Sequence, residues 1–132
     1  MTDGITLKSL APILIIDAIE PSLPFWTDRL GFAVVATVPE AAPYDFAIVA
    51  RDGIEVMLQT RASAAADTGD VTANVQASAL YLSVGAIDPV VAALGTAEIV
   101  VPRRTTFYGA DEVWVRDPAG NLVGFAAAQQ TD

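Results

Sequence analysis

The chain has 132 residues, 53% of them hydrophobic and 17% charged, which is enough apolar material for one compact domain with a substantial core. It contains neither Cys nor His. Disulfides, thiolate catalysis and zinc clusters are thereby excluded, and the commonest metal ligand and the side chain best suited to proton transfer near neutrality are both missing. The net charge of −9, from 16 acidic and 7 basic residues, disfavours nucleic acid, whose phosphates need a Lys/Arg surface, and favours a cationic partner, although surface carboxylates also serve solubility alone.

No charge-free apolar run approaches the roughly 18 to 20 residues of a membrane span. The opening MTDGITLKSLAPILII lacks a basic start and a small-residue cleavage site, so a cytoplasmic protein with no membrane partner is expected.

The first apolar run, Leu10 to Ile16, is rich in β-branched residues and short enough for a buried strand. Pro21 suits a first helical turn, Glu20 favours a helix N-terminus, and Gly31 falls where a left-handed C-terminal cap would lie, which predicts a helix carrying FWTDRL. Leu23, Phe25, Trp26 and Leu30 recur at helical spacing, so these aromatics are read as packing residues. Phe32 to Val38, Phe46 to Ala50 and Ile54 to Gln59 read as strands, the last two joined by a tight turn at Arg51-Asp52-Gly53. Ala62 to Ala77 has few large apolar residues and reads as a linker.

The second half repeats this order. Ala79 to Val84 is a strand, Asp88-Pro89 opens a helix that Gly95 ends, and Ile99 to Val101, Glu112 to Arg116 and Leu122 to Ala126 are strands. Asp117-Pro118-Ala119-Gly120-Asn121 supplies the reversal of a hairpin between the last two. Ala18-Ile19-Glu20-Pro21 superposes on Ala86-Ile87-Asp88-Pro89 at an offset of 68, and Gly53 to Met57 superposes on Gly120 to Gly124 at 67. Two anchors agreeing to one residue predict an α+β fold of paired βαβββ modules. The chain is then a single domain over residues 1–132, with module 1 at about 8–61, a linker at 62–77 and module 2 at about 78–129.

Ala11-Pro12 to Ile16, FWTDRLGF at Phe25 to Phe32, DFAIVARDG at Asp45 to Gly53, and EVWVRDPAGNLVGF with the tail AAAQQTD together resemble the glyoxalase and bleomycin-resistance family of the vicinal oxygen chelate superfamily. The resemblance covers nearly the whole chain, is sharpest toward the bleomycin-binding resistance proteins, and implies a cup-shaped mixed sheet built from the two modules. Metal-using members place ligands on the first and fourth strand of each module. Those positions fall here at Ala11, Met57, Ala79 and Gly124, none an oxygen or imidazole donor, so no metal or other cofactor is expected. A slip of one or two residues would bring Glu55 or Gln59 into the cleft.

The resemblance also implies a homodimer with clefts at the subunit interface, in which flat ligands stack on aromatic walls. Phe46 and Tyr108, the latter within Phe107-Tyr108-Gly109, fall on such positions, and Tyr44 joins them. Tyr81 and Trp114 lie in strands, where core packing is the competing role, and Met57 suits an adaptable apolar floor. No base stands out. Glu112 or Glu55 would serve if burial raised its pKa, the competing role being an exposed strand charge. The segment YGADE departs from the resistance proteins, which carry a Trp and a basic residue there.

The expected function is therefore sequestration of a cationic or aromatic drug-like molecule, a bleomycin-like antibiotic among them, with no catalytic residue. The alternatives are a metal-dependent lyase, isomerase or dioxygenase of the same superfamily, and a dimer with no small ligand.

Overall fold

The computed structural model describes residues 4–129. Module 1 contributes β1 (Ile13–Ile16), β2 (Ala33–Val38), β3 (Phe46–Arg51) and β4 (Ile54–Thr60), which form a sheet in the order β1-β4-β3-β2. Module 2 contributes β5 (Ala79–Ser83), β6 (Glu98–Thr105), β7 (Ala110–Arg116) and β8 (Leu122–Ala128), in the order β5-β8-β7-β6. β1 runs parallel to β4 and β5 parallel to β8, while the remaining pairs are antiparallel. Ile13 faces Met57 across the first parallel pair, and Tyr81 faces Gly124 across the second. These partners are the same two repeat offsets read along the chain, so the βαβββ duplication and the α+β class hold in three dimensions. Among the described residues no helix is long and apolar enough to cross a membrane.

Three local expectations change. The helix expected from Pro21 onward is a 3-10 turn at Glu20–Ser22 followed by a wide π-type turn at Phe25–Arg29. Leu23 and Pro24 between them keep right-handed helical angles, so Glu20 to Arg29 is one helical stretch of changing pitch, in which Pro24 has no N–H to offer the Glu20 carbonyl. Gly31 still ends the segment with φ +73°, and Phe25 and Trp26 are buried as packing residues, edge to face at 5.2 Å. The stretch read as a linker contains α1 (Arg61–Thr68) and α2 (Asp70–Ala73). Ala-rich sequence has the highest helix propensity, and Thr60 Oγ1 caps α1 by accepting from the Ser63 N–H at 3.1 Å. β6 is also longer than its expected three residues, because Pro102 is tolerated on an edge strand and two register shifts absorb the irregularity. The helix of the second module, α3 (Asp88–Leu94), ends at Gly95 as expected.

Period-two alternation gives each sheet one face toward a common core. Leu14, Ile16, Ala47, Val49, Val56 and Leu58 from the first sheet join Val113, Val115, Val123, Phe125 and Ala127 from the second, with Ile19, Phe25, Trp26, Leu30, Ile87 and Leu94 from the helical segments and their flanks. Arg29 ties the modules together, donating through Nη1 to the Leu94 carbonyl and through Nη2 to Thr96 Oγ1, both at 2.8 Å. Among the described residues no strand of one sheet hydrogen-bonds to a strand of the other. Each sheet therefore keeps a second face that looks away from the shared core.

Both expected reversals form. Asp52 and Gly53 take φ +52° and +80° between β3 and β4, as a primed turn requires. Between β7 and β8 the buried Asp117 Oδ1 accepts the backbone N–H groups of Ala119 at 3.1 Å and Asn121 at 2.7 Å. Asn121, also buried, accepts the Ser78 N–H on Oδ1 at 2.8 Å and so fixes the start of β5 against the hairpin. Asn121→Ala leaves that N–H without its acceptor and should lower unfolding stability by about 1–3 kcal/mol in a denaturant titration. An unchanged midpoint would show that the hairpin does not anchor β5.

Candidate functional site

The outward face of the second sheet holds the densest polar and aromatic arrangement among the described residues. On β7, alternation sends Val113 and Val115 into the core and Glu112 and Trp114 outward. Gly124 on β8 faces Trp114 on one side and Tyr81 of β5 on the other. With no side chain between them, the two aromatics meet above the glycine, their ring centroids 5.7 Å apart and tilted by 37°. A Cβ at position 124 would lie 2.6 Å from Trp114 Cε2. The position that aligns with a vacated metal ligand is thus roofed by an indole.

Glu112 lies beside this pair and is only 1% exposed. Its Oε2 accepts the hydroxyls of Tyr81 at 2.7 Å and Tyr108 at 2.8 Å. Its Oε1 accepts Arg104 Nη2 at 2.8 Å, Arg104 Nε at 3.1 Å and Trp114 Nε1 at 3.0 Å. Five donors thus converge on a carboxylate that has about four lone-pair sites. Hydrogen bonds from Tyr81 and then Arg104, with those from Tyr108 and Trp114, outweigh burial and pull the Glu112 pKa down to about 2. The expectation that burial would raise it and make a base is therefore corrected, as is the alternative of an exposed strand charge. The Tyr108 hydroxyl, 3.1 Å from that of Tyr81, and then the Glu112 carboxylate push the Tyr81 phenol well above its ordinary range, so Tyr81 and Glu112 keep their protonation states near neutrality.

The hairpin joining β6 to β7 carries Phe107 and Tyr108. Gly109, at φ +83°, and the buried Thr106 close this turn, with the Ala110 N–H donating to Thr106 Oγ1 at 3.0 Å. Phe107 is fully exposed and stands edge-on to Tyr108, 4.9 Å between centroids.

Phe46, Met57 and Gln59 occupy the outward face of the first sheet instead. Phe46 pairs with Gln59, and Met57 lies between Ile48 and Ile13. All three named candidates are half-buried, and Gln59 Nε2 donates to Ser63 Oγ of α1 at 3.2 Å. Tyr44 stands apart from both groups: its side chain packs against the core, and its N–H donates to Glu20 Oε2 at 2.6 Å. The nine candidates therefore divide into Tyr81, Phe107, Tyr108, Glu112 and Trp114 on one sheet and Phe46, Met57 and Gln59 on the other, with Tyr44 beside neither.

Arg104 is the member the sequence reading missed. Arg103 and Arg104 are adjacent in a chain with few basic residues, and strand alternation sends them to opposite sides: Arg103 pairs with Asp88 and Asp111, and Arg104 with Glu112. Treating the whole of Glu98–Thr105 as one strand would have placed Arg104 beside Glu112.

The metal that members of the resembling superfamily use does not fit here. The aligned positions hold Ala11, Met57, Ala79 and Gly124, and the slip that would bring in Gln59 meets a side chain already engaged with Ser63. Glu112 has no lone pair to spare, and among the described residues no three His, Cys, Asp or Glu side chains cluster at metal-binding range.

The family described as Glyoxalase/Bleomycin resistance protein/Dioxygenase superfamily matches residues 7–125. Comparison with curated protein sequences finds no match. Similar solved structures include a glyoxalase/bleomycin resistance protein/dioxygenase from Nocardioides, with a TM-score of 0.77 at 18% identity over 98% of this chain and 89% of that one. TioX from Micromonospora sp. ML1 gives 0.76 at 17% identity over 92% and 99%. A lactoylglutathione lyase from Agrobacterium tumefaciens gives 0.73 at 16% identity over 91% and 92%. At these identities the likeness is one of fold.

Gly124→Ala forces the Trp114 indole off its seat and should cost about 1–3 kcal/mol of stability by overpacking. The same substitution introduced beside Trp114→Leu should cost much less. Equal losses in the two backgrounds, measured by thermal unfolding, would show that the close approach is not what selects glycine.

Proposed function

As the chain belongs to the Glyoxalase/Bleomycin resistance protein/Dioxygenase superfamily, we propose that it binds an aromatic, drug-like small molecule and holds it without transforming it. The observation that carries this reading is the saturated Glu112. A carboxylate that accepts five hydrogen bonds, which hold its pKa well below the usual range, is a poor proton acceptor near neutrality. What it does instead is hold Tyr81, Tyr108 and Trp114 in fixed orientations, which favours stacking of a flat ligand by limiting the side-chain entropy lost on binding.

A single chain offers this platform as an open wall. A small-molecule site is normally concave and covers most of its ligand. The first sheet presents the complementary kind of surface, with Phe46 and Met57 half-buried beside Ile13 and Val38, which are 48% and 56% exposed. Those apolar side chains would be covered if a second copy set its first sheet opposite the second sheet of its partner. The proposed unit is therefore a homodimer with two equivalent clefts, sequestering its ligand inside the cell as an antibiotic-resistance protein would.

The enzymatic alternative within the superfamily would require a metal that the aligned residues do not hold, or a base that neither the saturated Glu112 nor Glu55, exposed at the start of β4 and not buried, supplies in this chain. Light scattering should give twice the chain mass. Thermal unfolding against a panel of planar aromatic antibiotics, bleomycin among them, should show a rise for at least one member. Ligand at about 100 times its dissociation constant should add about 2.7 kcal/mol of stability. A monomer that responds to no member of the panel would overturn the reading.

A further inference from the structure

The aromatic platform has one strong polar group left to offer. Arg104 spends Nε and Nη2 on Glu112 Oε1, and among the described residues its Nη1 makes no hydrogen bond or ion pair. Its side chain is 55% exposed. Both phenol hydrogens are already directed at Glu112 Oε2, and the Trp114 N–H is directed at Oε1. The carboxylate itself is enclosed. A cation arriving at the second sheet therefore meets no free acceptor of full negative charge, whereas an anion meets a guanidinium nitrogen with its N–H groups unused. The guanidinium is also held in place by its two bonds to Glu112, so little freedom is lost when its outer edge binds.

We infer that the bound molecule is a planar aromatic acid, its ring stacked on Tyr81 and Trp114 and its carboxylate accepting from Arg104 Nη1. This rests on the ligand-binding reading above and specifies the charge of what is bound. It reverses the partner charge suggested by the net charge of −9, which sums over the whole surface while recognition depends on the groups at the floor. Locally the Arg104–Glu112 pair is neutral, and Asp111, which shares Arg103 with Asp88, alternates with Glu112 to the other side of β7, so no unpaired acid of the platform itself opposes the ligand carboxylate. Glu55 is the competing feature. It is exposed at the start of β4, two positions from Met57, and in a dimeric cleft it would supply the opposite wall with a solvated negative charge. A carboxylate in water attracts a cation weakly, while a charge-assisted hydrogen bond from a fixed guanidinium beside aromatic faces is stronger and directional.

Three probes of one shape separate these outcomes: 2-naphthoate, neutral 2-naphthamide and 2-naphthylmethylammonium, each titrated into the full chain by calorimetry at neutral pH. The naphthoate should bind about tenfold or more tighter than the ammonium, with the amide between them, a difference of about 1.4 kcal/mol for each factor of ten. Arg104→Gln should remove the carboxylate preference, bringing the naphthoate and amide affinities to within about threefold of one another, because the charge-assisted bond is lost for the acid alone. If that variant does not fold, the paired substitution Arg104→Met with Glu112→Gln removes both charges together and should likewise abolish the preference. Tighter binding of the ammonium, or an undiminished naphthoate preference in either variant, overturns the aromatic-acid assignment and leaves the ligand-binding reading standing. Failure of all three probes to bind overturns both.

Discussion

A carboxylate buried on a sheet face costs several kcal/mol in desolvation unless its lone pairs are met by donors, and the outward face of the second sheet is arranged around meeting that requirement. Glu112 draws Tyr81 from β5, Arg104 from β6, Tyr108 from the β6–β7 hairpin and Trp114 from its own strand. Four side chains that would otherwise rotate independently share one acceptor. The geometry depends on the ionised form, since a protonated carboxyl would have to place its own hydrogen among five incoming donors.

The same network bears on what the superfamily's fold has become in this chain. Gly124 occupies a position where metal-using relatives are expected to carry a donor, and its lack of a side chain admits the Trp114 indole, which in turn donates to Glu112. The missing side chain at position 124 and the aromatic floor above it are therefore one structural feature. Met57 occupies the corresponding place on the first sheet, beside Ile13 and Ile48, so these two positions belong to apolar or aromatic surfaces.

Much of the architecture was legible in the sequence because it depends on local chemistry repeated twice. Asp52-Gly53 and Asp117 to Asn121 demand reversals whatever surrounds them, and the repeat offsets carry over into the β1–β4 and β5–β8 registers. The helix of module 1 lies where its caps place it, and only its pitch, 3-10 at the start and π-type at the end, is not legible from the caps. α1 and α2 escaped because scarcity of large apolar residues was read as scarcity of structure, although alanine favours a helix without a core to bury. The site was half legible. Residue types identified the aromatics, but which share a face depends on sheet register, and Tyr44 shows that proximity to Phe46 along the chain does not place a side chain beside it. Glu112 stands out in the sequence as a possible base, yet its role follows from partners two to 31 residues away that no motif joins.

The central claim is that Glu112 is an ionised anchor for the platform and has no capacity to act as a base. The most direct test is its titration, followed through the side-chain carboxyl carbon by nuclear magnetic resonance, with assignment by Glu112→Gln. The resonance should stay in its ionised position as pH falls through about 4.3, where ordinary glutamates protonate, and move only toward pH 2. A midpoint at or above that ordinary value would contradict that claim, since the donors of Tyr81, Arg104, Tyr108 and Trp114 could not then be holding the carboxylate as described.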